Sequence, residues 1–218
     1  MMIVYIRQLR QHGQLFLWGC LCCICCLFTS SCSESDDKVD EYANWKARNE
    51  AFFATLEDSL KNAPDQWMKI KSYSLDQTTE GKASDYIYAK LISEGEGTDS
   101  PMYTDSVRVS YQGRLIPTAS NPQGLVFDGT VYGNYDIRTN ATTKFLLSSL
   151  VTGWITALQH MHRGDYWRIY VPSDLGYGSS ATSSIPAYSV LIFDLTLVDF
   201  SPVGETMNPF SSRKDVGF

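Results

Sequence analysis

Two hydrophobic rhythms divide the chain. Between Glu41 and Leu60, Trp45, Phe52, Leu56 and Leu60 recur at near-helical spacing, with Lys46, Arg48, Glu50, Glu57 and Asp58 between them. That pattern predicts an amphipathic helix, and Asn62 and Pro64 supply its stop. A lone helix of this length buries little by itself, so its apolar stripe needs a partner, either its own domain or a second copy of the chain as a homodimer. Gln77 to Ser84 is polar and reads as a linker.

From about Asp85 the rhythm becomes period two. Tyr86 to Ile92 is strand-like until Gly95 and Gly97 break it; Val107, Val109 and Tyr111 alternate with Arg108, Ser110 and Gln112. Tyr166 to Val171 is a further strand, ended by Pro172, and Ser189 to Phe200 is the longest, with Leu191, Phe193, Leu195 and Leu197 on one face. One short helix interrupts them. Gly153 to Arg163 places Trp154, Leu158 and Met161 on one side, with Gly164 as its C-terminal cap. Strands with a single helix to cover their apolar face predict an α+β domain, an antiparallel sheet with the helix packed across it.

The first residues follow neither rhythm. Arg7 and Arg10 precede an apolar run from Leu15 to Phe28, which falls short of the about 20 residues of a membrane span and fits a secretory signal. Thr29-Ser30-Ser31-Cys32 then resembles the end of a bacterial lipoprotein signal, which implies lipidation of Cys32 and attachment to the outer membrane of a Gram-negative cell. More than one acyl chain is needed for a stable anchor. A plain cleaved signal and a retained short anchor are the alternatives. Ser33-Glu34-Ser35-Asp36-Asp37 reads as an acidic tether, either a surface-export signal or a solvated linker. The expected organisation is a signal over 1–31, a tether over 32–40, the helix and linker over 41–84, the sheet domain over 85–201 and a tail over 202–218.

Composition removes several functions. The formal net charge is −6, which makes nucleic acid a poor partner. All six cysteines lie between Cys20 and Cys32, so the rest of the chain has no thiolate with which to build a disulfide framework or a thiolate metal site. His160 and His162, two apart, point in different directions and predict no shared metal site. There is no G-x-S-x-G elbow and no phosphate-binding glycine loop. The expected chemistry uses no metal, no cofactor and no strong nucleophile.

What remains is a set of aromatics beside tight turns. Gly113 interrupts a strand just after Tyr111, Phe127 and Asp128 enter the Gly129 turn, Gly153-Trp154 opens the short helix, Leu175-Gly176-Tyr177-Gly178 follows Pro172, and Ser184-Ile185-Pro186-Ala187 leads into the last strand. Singly each has a bland reading as turn or core. In this order and spacing they resemble the FKBP-type (tacrolimus-binding) peptidyl-prolyl cis-trans isomerases, over about Asp85 to Phe200 and most specifically from Val151 to Val198.

The resemblance implies a strongly curved antiparallel sheet wrapped around one short helix, with a pocket floored by Trp154. Its walls would be Tyr111, Phe127, Leu150, Val151, Ile185 and Phe193. Asp128 and Tyr177 would be polar members, the Tyr177 hydroxyl donating to a carbonyl of the bound peptide. The implied partners are proline-containing polypeptides and macrolide inhibitors of the family. The chain departs from the family pattern in a longer loop from Pro117 to Gly124, in Thr143 where an aromatic wall residue is frequent, and in Ala187 in place of a second proline. The implied function is assistance to the folding of exported or envelope proteins. A non-catalytic protein-binding module, or a chaperone dimerised through the Glu41–Leu60 helix, is the alternative on the same scaffold.

Overall fold

The computed structural model describes residues 40–207 apart from 132, 137 and 138. The expected signal over 1–31, Cys32, the tether as far as residue 39, and residues 208–218 of the tail lie outside the described residues. Among the described residues no helix is long and apolar enough to cross a membrane.

The first element is α1 (Trp45–Asn62), which stops before Pro64 as its sequence requires. Its buried face differs from the expected stripe: Trp45, Asn49, Phe53 and Leu56 are covered, whereas Phe52 and Leu60 are only partly buried. The partner is the chain's own sheet domain, and Phe53 meets Tyr88 edge to face at 5.2 Å.

Seven strands follow: β1 (Trp67–Lys71), β2 (Tyr86–Ser93), β3 (Ser106–Arg114), β4 (Val126–Gly129), β5 (Thr143–Leu146), β6 (Tyr166–Val171) and β7 (Leu191–Ser201), with α2 (Thr152–Leu158) between β5 and β6. They form one sheet in the order β1-β2-β6-β7-β3-β4, and β5 pairs the first half of β3. Every pairing is antiparallel. β1 is a finding beyond the sequence reading: a five-residue strand paired with β2, upstream of the segment expected to be a linker.

β7 is the centre. Leu191, Leu195 and Leu197 are fully buried on the face that α2 covers, each side chain contributing about 1.5–3 kcal/mol of transfer free energy. Ile155, Ala157 and Leu158 of α2 are 3%, 0% and 0% exposed, and the helix packs on β1, β2 and β6. On the opposite face Asp194, 1% exposed, is held by Arg168 through Nε at 2.7 Å and Nη2 at 3.1 Å, and by Arg114 Nη2 at 2.9 Å. One buried carboxylate thus ties β6, β7 and β3 together, and its charge is matched rather than left uncompensated.

α2 is shorter than expected. It closes at Leu158, so His160 and His162 lie in the turn that follows, and Gly164 is not its cap. Gly164 takes φ 90° where the chain enters β6, donating its N–H to Leu197 O at 2.7 Å, and a Cβ there would come within 2.9 Å of Gly95 Cα. The Gly95–Gly97 turn is therefore a site of close backbone approach.

Candidate active site

β3 has two partners along one edge, β5 beside Ser106–Val109 and β4 beside Gln112–Arg114. Tyr111 falls between them, and there the sheet opens into a hollow of about 310 Å³ lined by Tyr111, Phe127, Asp128, Phe145, Ser149, Leu150, Val151, Trp154, Tyr177 and Phe193.

Each side chain arrives by a separate element. Trp154 rises from the first turn of α2 and is 4% exposed, lying beneath the cavity. Three rings meet it nearly edge-on: Tyr111 at 5.0 Å and 88°, Phe193 at 5.1 Å and 87°, and Phe145 at 6.2 Å and 87°. Phe127 meets Phe193 at 5.6 Å and 88°. Edge-to-face pairs of this kind add to the area term by about 0.5–1.5 kcal/mol each and hold the rings in fixed orientations. The Trp154 indole N–H is buried and has no hydrogen-bond partner within the chain.

Gly113 makes the wall possible. A Cβ at that position would lie 2.6 Å from Phe193 Cε1 and 2.7 Å from Phe127 Cζ. The absent side chain is the space in which the two rings meet.

The polar members sit at the rim. The Tyr111 hydroxyl donates to Asp128 Oδ2 at 2.7 Å, and the Gly129 N–H donates to Asp128 Oδ1 at 2.8 Å. Tyr177 stands in the connection between β6 and β7 and is 45% exposed. Leu150 and Val151 form the turn that starts α2.

Of the residues expected in the pocket, Tyr111, Phe127, Asp128, Leu150, Val151, Trp154, Tyr177 and Phe193 line one hollow. Ile185 does not. It is 5% exposed in the hydrophobic core and its N–H donates to Thr182 Oγ1 at 3.0 Å, so it supports the loop from within. Phe145 is the wall residue that the sequence reading missed. Along Thr143-Lys144-Phe145-Leu146 burial alternates, with Thr143 and Phe145 on the covered face. The aromatic expected at Thr143 is supplied two residues further along the same face, and the period-two alternation of this short strand was the available signal.

His160 and His162 take separate partners, Nδ1 of His160 lying 2.8 Å from Thr156 O and Nδ1 of His162 lying 3.8 Å from Asp165. They border a larger hollow of about 890 Å³ beside β1 and β2, whose mixed lining includes Lys69, Lys71 and Glu94 beside Met68, Ile70 and Leu91. It lacks the converging rings of the smaller cup.

Residues 97–198 match the family described as FKBP-type peptidyl-prolyl cis-trans isomerase. The chain is 36% identical over 115 residues to the macrophage infectivity potentiator of Trypanosoma cruzi, covering 52% of this chain and 53% of that protein. It is 36% identical over 111 residues to the FKBP-type 22 kDa peptidyl-prolyl cis-trans isomerase of Escherichia coli K12, covering 50% of this chain and 48% of that one. Among solved structures, a peptidyl-prolyl cis-trans isomerase from Pseudomonas syringae pv. tomato superposes with a TM-score of 0.51 at 25% identity, covering 73% of this chain and 96% of that one. The chain spans about half the length of these two curated relatives.

Proposed function

We propose, because the chain belongs through residues 97–198 to the FKBP-type peptidyl-prolyl cis-trans isomerases, that the cup over Trp154 catalyses rotation about X-Pro bonds. One observation carries the reading: four aromatic rings and a buried, unpartnered indole N–H converge on a hollow of about 310 Å³, with Asp128 and Tyr177 at its rim.

Rotation about an amide is slow because resonance must be lost, at a barrier of about 18–20 kcal/mol. X-Pro bonds populate both isomers and exchange in tens to hundreds of seconds. No bond breaks, so no nucleophile is required. The planar amide is the more charge-separated state and water stabilises it; the twisted state is less polar. Enclosing the proline ring between Tyr111, Phe127, Trp154 and Phe193 removes water from the amide and narrows that advantage. A thousandfold acceleration requires only about 4 kcal/mol. Asp128 and Tyr177 orient the peptide, Asp128 fixed by Tyr111 and the Gly129 amide, and Tyr177 free to donate to a peptide carbonyl.

The substrates we assign are proline-containing segments of exported and cell-envelope proteins. The signal-like residues 1–31, ending in the lipoprotein-like run Thr29-Ser30-Ser31-Cys32, support this location, and macrolide inhibitors of the family are the expected small ligands. Trp45, Phe53 and Leu56 of α1 are buried within the chain itself, so a homodimer through this helix would have to use its outer face. The test is an isomerisation assay on an X-Pro peptide with the full chain, with and without a macrolide. Acceleration that the macrolide abolishes supports the enzyme; macrolide binding without acceleration favours the binding-module alternative.

A further inference from the structure

α1 lies outside residues 97–198, yet its polar side chains bind the loop that borders the cup. Asn49, 1% exposed, accepts the Val190 N–H through Oδ1 at 2.7 Å, while its Nδ2 donates to Trp45 O at 2.8 Å. One turn earlier, Trp45 Nε1 donates to Ser189 Oγ at 2.8 Å, and that hydroxyl donates onward to Pro186 O at 2.6 Å. Lys46 Nζ stands 4.7 Å from the centroid of the Tyr188 ring. Tyr188 itself holds φ 62°, a left-handed state that a bulky residue keeps only where its surroundings impose it. Its N–H donates to Gly178 O at 2.9 Å, so the stretch gripped by α1 is pinned to the residue after Tyr177.

The second loop is held from Glu41, just before α1, and from Arg48 within it. Glu41 Oε1 accepts the Ser120 N–H at 3.1 Å and the Ser120 hydroxyl, and Arg48 Nη2 reaches Pro117 O at 3.4 Å. Pro117 and Ser120 belong to the long connection between β3 and β4, and β4 carries Phe127 and Asp128. Phe53 and Leu56 would suffice to bury the helix on its domain. They do not account for the polar grip on successive loop residues.

We infer that the segment Glu41–Asn62 is a strap for the cup, and that Trp45 and Asn49 are positioning residues that order the loop 176–190, and with it Tyr177, before substrate arrives. The loop holds little regular structure, and ordering it in advance removes that cost from binding. The catalytic consequence rests on the isomerase reading; the ordering itself does not.

The test compares Asn49→Leu and Trp45→Phe with the unsubstituted full chain. Trp45→Phe removes the indole donor from the α1 side and leaves the Ser189–Pro186 bond within the loop, so it decides the matter alone if Asn49→Leu does not fold. Hydrogen exchange is read at Gly178 and Ser180, whose N–H groups donate to Ser173 O and Tyr177 O rather than to α1. Their exchange should rise by about tenfold, with Leu195 and Leu197 of β7 unchanged, as expected for loss of one buried hydrogen bond confined to a local unit. KM for an X-Pro peptide should rise more than kcat falls. Faster exchange at Val190 alone, with Gly178 and Ser180 unmoved, overturns the strap. If the unsubstituted chain neither isomerises nor binds a macrolide, the isomerase reading falls, while the exchange result still decides the strap.

Discussion

The Tyr111 hydroxyl holds Asp128 at 2.7 Å across the edge where β4 joins β3, linking the back wall of the cup to its rim. Tyr111→Phe keeps the ring against Trp154 and removes this bond. Loss of about 1 kcal/mol corresponds to a fall of about fivefold in kcat/KM. Thermal unfolding should change little. A peptide assay showing no loss would mean that Asp128 needs no restraint.

Gly113 tests the wall. With a Cβ placed 2.6 Å from Phe193 and 2.7 Å from Phe127, Gly113→Ala must displace one ring or the other. Overpacking of this kind costs about 1–3 kcal/mol, so Tm should drop and isomerisation should fall by more than tenfold. Titration with a macrolide measures the damage at the site. Parent-like affinity in this variant would contradict the placement of the rings.

Glu57 links α1 to the sheet. It accepts a hydrogen bond from the Tyr88 hydroxyl and another from Lys69 Nζ at 2.9 Å. These bonds, Tyr88 first, hold its carboxyl below the usual carboxylate value. A carboxyl lowered in the folded state stabilises it above the unfolded pKa, and that contribution is lost as pH falls through the folded value. Burial, followed by the bond to Glu57, pushes the Tyr88 hydroxyl up to about 12. The folded state therefore loses a second contribution as pH rises from the ordinary tyrosine value of about 10 towards that point. Glu57→Gln should flatten the acid limb of Tm against pH. An unchanged acid limb would show that the bond contributes nothing there.

The long rhythms were legible and the short ones were not. β3, β6 and β7 alternate over enough residues to fix both their existence and their inward faces, and Leu191, Phe193, Leu195 and Leu197 share a face as expected. β5 has four residues, too few for alternation to stand out, and Phe145 was missed with it. β1 offers only Trp-Met-Lys-Ile-Lys, where charges at an exposed edge mask the pattern. The stripe of α1 was misread by one position at Phe52 and Phe53, because its buried row includes the polar Asn49, whose hydrogen bond to Val190 no hydropathy pattern can show. Eight pocket residues were found through turn chemistry and family resemblance together. Ile185 was placed on the wall because sequence order does not say which side of a loop a residue faces.

On the isomerase reading, withdrawal of water by the aromatic rings, rather than the charge of Asp128, lowers the barrier. The most direct measurement is kcat/KM for an X-Pro peptide in Phe127→Ala, Trp154→Ala and Asp128→Ala. Trp154 also supports the core, where truncation to Ala costs about 3–5 kcal/mol of stability, so half-buried Phe127 gives the cleaner comparison. Both aromatic truncations should lose more activity than Asp128→Ala. A larger loss in Asp128→Ala than in folded Phe127→Ala would contradict it.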